Sequence, residues 1–80
     1  MTTNMRLDNA IANAIRNNKI NARQGRLVRA IVEVTDTTFE KALVAAEVLD
    51  NQGLMPHQIR TNYGAAGITY DMVQEALNNY

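Results

Sequence analysis

The apolar residues of this chain recur at helical spacing and almost nowhere alternate as a half-buried strand requires. Leu7, Ile11, Ala14 and Ile15 stand at i, i+4, i+7 and i+8, which predicts a first helix over residues 5–17. Thr3 or Asn4 is placed to cap it, and Asn17-Asn18-Lys19-Ile20-Asn21 reads as a break. Asn21 then caps a second helix, 22–34, with Gln24 three residues on as its reciprocal partner. Leu27, Ile31 and Val34 form its apolar stripe, widened by Val28 and Val32. Gly25 inside this helix costs about 1 kcal/mol relative to alanine, and it either lets another backbone approach closely or only weakens the first turn. Thr37, with Glu40 three residues later, predicts a capping box at the start of a third helix, and Gly53 a left-handed stop. Phe39, Ala42, Leu43, Ala46 and Leu49 make the core stripe of that helix, while Val44 and Val48 form a second stripe turned away from it. Pro56 suits the first position of a short helix, 56–63, ended by Gly64. After a turn at 64–67, Thr69 is the expected cap of a last helix, 70–79, with Ile68 and Val73 as a hydrophobic staple. Tyr70, Val73, Leu77 and Tyr80 share one face of it. The one β-favouring run, Ile31-Val32-Glu33-Val34-Thr35, continues a helical stripe. The pattern predicts an all-α fold, a compact bundle of four to five short helices forming a single domain over residues 1–80.

Eighty residues without a cysteine must hold together without a disulfide, and a single histidine rules out a zinc cluster. A core of this size rarely yields more than roughly 3–5 kcal/mol, so helix packing and self-association are the remaining sources of stability. A homo-oligomer is therefore expected. No apolar run approaches the roughly 18 residues of a spanning helix, and the first residues lack a basic segment followed by an apolar one. The chain reads as soluble and cytoplasmic, with no membrane insertion. Its ten asparagines read as the codon bias of an AT-rich genome, such as many phages and some bacteria carry.

Charge is sorted by position. Residues 1–30 hold Arg6, Arg16, Lys19, Arg23, Arg26 and Arg29 against Asp8 alone. Residues 31–80 hold Lys41 and Arg60 against Glu33, Asp36, Glu40, Glu47, Asp50, Asp71 and Glu75. The formal net charge of zero therefore hides a dipole that can offer a basic face to one partner and an acidic face to another. Arg23, Arg26 and Arg29 share one side of the second helix, where arginine's planar fork suits a carboxylate-bearing partner.

Catalysis needs a positioned acid, base or nucleophile. His57 is the one side chain that titrates near neutral pH unperturbed, and it reads as an exposed first-turn residue. No nucleophile–base pair, no metal-ligand spacing and no phosphate-binding glycine loop can be assembled. The expectation is a non-enzymatic chain with no catalytic residues, no metal and no cofactor.

Residues 56–80 carry a looser motif. Pro56-His57-Gln58-Ile59-Arg60-Thr61-Asn62-Tyr63-Gly64, then Ala65-Ala66-Gly67-Ile68-Thr69, then Tyr70-Asp71-Met72-Val73-Gln74-Glu75-Ala76-Leu77 resembles a helix-turn-helix. Gly67 and Val73 are spaced like that family's turn glycine and the buried aliphatic of its second helix. The resemblance covers about a third of the chain and implies a DNA-binding regulator whose second helix enters the major groove. Gln74 and Asn78 would then be the residues able to read adenine. Two departures stand beside it. Tyr63 occupies a position where the family usually has a small residue. The would-be recognition helix carries Asp71 and Glu75 and no Lys or Arg, although phosphate contacts dominate DNA affinity.

The reading that follows is a small protein-binding regulator or inhibitor, an accessory protein that acts through a protein–protein interface. Its expected partner-binding residues are Arg23, Arg26, Arg29, Val44 and Val48. The helix-turn-helix regulator is the alternative.

Overall fold

A computed structural model describes the backbone of residues 3–65 and 67–79 and the side chains of 6–64 and 67–79. Five helices follow one another: α1 Thr3–Arg16, α2 Ala22–Thr35, α3 Phe39–Asn51, α4 Pro56–Asn62 and α5 Ile68–Asn78. A one-turn 3-10 segment, Tyr63–Ala65, continues from α4. No strand occurs among the described residues, so the fold is all-α, a small helical bundle. Its radius of gyration of 11.6 Å matches the value of about 11.6 Å expected for a single compact domain of this length.

Caps and stops explain most of the boundaries. Asn21 accepts from the Gln24 amide at 2.8 Å while Gln24 Oε1 accepts from the Asn21 amide, so the expected capping box forms. Gly53, at φ 84°, ends α3 in a Schellman motif: the Leu54 amide donates to Leu49 and the Gly53 amide to Asp50. Leu49 and Leu54 are both buried there. Asn18, at φ 62°, ends α1 the same way, with Lys19 donating to Ala14 and Asn18 to Ile15. Asn18 and Asn21 thus have structural work that a composition bias does not assign them.

Two starts differ from expectation. Thr38, not Thr37, caps α3, and it accepts from the Lys41 amide, so Glu40 completes no capping box. The cause lies upstream. Asp36 leaves α2 in the left-handed region, and Thr35 Oγ1 accepts the Thr37 amide at 3.3 Å, which holds Thr37 in the connection. Similarly, α5 begins at Ile68 with Gly67 as its cap and no side-chain bond, so Thr69 lies inside the first turn. Ile68 is 80% exposed and cannot staple onto Val73. The expected contribution of Tyr80 and the capping side chain at Thr3 or Asn4 lie outside the described side chains.

α2 is the hub. It packs against α1, α3 and α4, and α3 carries α5 on its other flank. Leu27, Val28, Ala30 and Ile31 are fully enclosed, facing Ala42, Ala45, Ala46 and Leu49 of α3, Ile59 of α4 and Val73 of α5 in one cluster. The alanines of α3 keep that helix close to its neighbours, since interaxial distance follows side-chain size. Gly25 does the same on the α1 side: a Cβ there would stand 2.9 Å from Cγ2 of Ile11.

Candidate functional site

Burial divides α3 lengthwise. Ala42, Ala45, Ala46 and Leu49 are enclosed, while Glu40, Lys41, Val44 and Glu47 are exposed. Phe39 and Leu43 fall between, half-buried and packed against the core from its edge. They read as core residues by spacing, yet α1 leaves them partly open because it docks chiefly on α2.

That opening makes two hollows. One, of about 330 Å³, lies between Arg6, Leu7 and Ala10 of α1 and Phe39 and Glu40 of α3. The other, of about 110 Å³, lies between Lys19 and Ile20 of the α1–α2 connection and Leu43, Val44 and Glu47 of α3. Phe39, Leu43 and Glu47 are spaced i, i+4 and i+8, with Glu40 and Val44 beside them, so the hollows lie end to end along one side of α3. Together they form a shallow groove with an apolar floor. Leu7, Ile20, Phe39 and Leu43 supply that floor. Arg6 and Lys19 stand on one wall, Glu40 and Glu47 on the other.

The expected partner-binding residues do not form one surface. Val44, 37% exposed, rims the groove, whereas Val48 is half-buried and packs on the core. Arg26 and Arg29 lie on the side of α2 opposite its enclosed Leu27 and Ile31, so they point away from the exposed side of α3. Arg23 and Arg29 are also tied within the molecule. Arg23 pairs with Asp50 at 3.2 Å and donates to Met55 Sδ at 3.3 Å, and Arg29 pairs with Asp8. Among the described residues Arg26 alone of the three has no acidic partner. Arg60 pairs with Glu33 at 2.9 Å, closing α4 onto α2.

The residues of the alternative reading lie on α5. Gln74 donates its amide to the Tyr63 hydroxyl, and the Tyr63 and Tyr70 rings stack with centroids 4.9 Å apart. Gln74 is thus engaged with its own chain, and the space beside it is filled by tyrosine. Asn78, Asp71 and Glu75 are exposed. His57 is exposed in the first turn of α4. Among the described residues no three of His, Asp and Glu converge as a metal site would, and no helix is long and apolar enough to cross a membrane.

What the geometry defines is a small helical domain with apolar, charge-rimmed hollows beside α3. The chain belongs to a family of unknown function, DUF7185, whose model matches residues 1–80. No curated protein and no solved structure matches it.

Proposed function

We propose that this chain is a non-enzymatic protein-binding regulator that docks its partner along the groove between α1 and α3. The observation that carries the reading is the pair of hollows aligned on one side of α3, lined by Leu7, Ala10, Ile20, Phe39, Leu43 and Val44. Grooves of this kind accept the apolar anchors of a partner helix, whose docking face repeats at i, i+3, i+4 and i+7. Among the described residues no reacting group faces the groove: Arg6, Lys19, Glu40 and Glu47 are its charged residues, and none is paired with a nucleophile. The domain therefore acts by occupying or presenting a surface. This assigns the interface to Val44 and its neighbours and leaves Arg23 and Arg29 to internal pairing.

Capture from the native cell extract tests the proposal. Wild-type protein should retain one stoichiometric partner. Val44→Asp should lose it with unchanged helical circular dichroism, because a carboxylate at the rim places an unpaired charge on the apolar floor. Equal retention by both forms would sink the reading.

A further inference from the structure

The two walls of the groove carry opposite charge, and those charges are unspent. Three ion pairs form among the described residues, Arg23–Asp50, Arg29–Asp8 and Arg60–Glu33, and none of them crosses the groove: Arg6, Lys19, Glu40 and Glu47 take part in none. Each hollow has one base on the α1 side and one acid on the α3 side, Arg6 with Glu40 and Lys19 with Glu47.

We infer that the groove takes an amphipathic helix with carboxylates along one edge and ammonium or guanidinium groups along the other, an inference that rests on the docking role proposed above. A helix laid along α3, apolar side down, turns one edge toward Arg6 and Lys19 and the other toward Glu40 and Glu47. A helix of one charge sign is attracted by one wall and repelled by the other. A helix with edges of opposite sign is attracted by both. Reversing the direction of such a helix exchanges its edges, so either order of charge has one orientation that fits. The discrimination therefore lies between mixed and single-sign edges, and it also selects the direction of docking. Complementary charge of this kind suppresses wrong partners as well as attracting right ones. The groove spans Phe39 to Glu47, about 12 Å at 1.5 Å per residue, so the docked segment covers two to three turns with apolar anchors four to seven residues apart.

Three synthetic helical peptides test this against the intact protein. All carry the same leucine stripe. One has glutamate on one edge and lysine on the other, one has glutamate on both edges, and one has lysine on both. Fluorescence anisotropy at low salt should show the mixed-edge peptide binding about tenfold more tightly than either single-sign peptide, as four exposed pairs of modest strength act together. That advantage should shrink as salt rises. Glu40→Lys with Glu47→Lys makes both walls basic and should transfer the preference to the glutamate-edged peptide. Val44→Asp should abolish binding of all three. Equal binding of the three peptides, still blocked by Val44→Asp, would overturn the charge rule and leave the docking role standing. Failure of every peptide to bind would overturn the inference, and the extract capture would then decide the docking role separately. Concentration-dependent self-association lost in Val44→Asp would also overturn it, since a second copy would then be the occupant.

Discussion

Gly25 lies directly beneath Ile11, so that a Cβ on the glycine would stand 2.9 Å from the isoleucine Cγ2 methyl and 3.2 Å from Cδ1 of Ile15. The Cγ2 methyl is fixed to the β-carbon of a stiff side chain and has little room to swing away. α1 packs chiefly on α2, so this contact governs how α1 is held and how wide the groove stands.

Gly25→Ala sets a helix-propensity gain of about 1 kcal/mol against overpacking that typically costs about 1–3 kcal/mol. The balance should be a modest loss of stability in urea unfolding. Gly25→Leu should lose more and loosen α1, seen as faster amide exchange over residues 6–16. A stabilised Gly25→Ala would show that α1 shifts freely.

Asp36 holds a left-handed conformation, φ 62° and ψ 25°, between α2 and α3. That region costs L-residues roughly 1–2 kcal/mol, less for Asp and Asn, and nothing for glycine. Asp36→Gly should hold or raise the unfolding midpoint, and Asp36→Val should lower it by about 1 kcal/mol. Asn18, also at φ 62°, should follow the same order.

Asp50 ties α3 to the start of α2 by accepting from Gln24 Nε2 at 3.1 Å and by an ion pair with Arg23 at 3.2 Å. The Gln24 amide is part-buried, so removing its acceptor leaves a donor poorly served. Asp50→Ala should cost about 1 kcal/mol. Arg60→Ala breaks a pair whose two sides are about two-fifths exposed, and it should stay within about 0.5 kcal/mol of wild type. Arg26→Glu, with no acidic partner among the described residues to lose, should do likewise and leave partner capture intact. Reversing all three arginines would set new carboxylates against Asp50 and Asp8 and destabilise the fold.

The helices were legible because their local chemistry is explicit. Asn21 with Gln24, Gly53, and Pro56 at the first turn of α4 each mark a boundary through the residue's own donors, acceptors or backbone freedom. Thr37 and Thr69 misled because neighbours decide which threonine caps. Thr35 holds Thr37 back, and Gly67 starts α5 before Thr69 is reached. The groove was not legible. Phe39 and Leu43 have the spacing of core residues, and only the placement of α1 on α2 leaves them half-open. Likewise no local pattern distinguishes Val44, at the rim, from Val48, packed on the core, or reveals that Asp8 and Asp50 draw Arg29 and Arg23 inward.

Selection on randomised duplex DNA at physiological salt should enrich no motif through α5. Asp71 and Glu75 oppose phosphate, and Gln74 would have to leave Tyr63 before it could read a base. An enriched motif lost in Gln74→Ala and Asn78→Ala would establish the helix-turn-helix reading instead.

The most direct measurement places a photoreactive benzoylphenylalanine at Val44 in one variant and at Arg26 in another, and irradiates each in native cell extract. The two positions sit on opposite sides of the α2–α3 pair. A discrete covalent adduct to a partner protein from position 44, and none from position 26, is the predicted result. An adduct from position 26 with none from position 44 would contradict the groove and return the interface to the arginine face of α2.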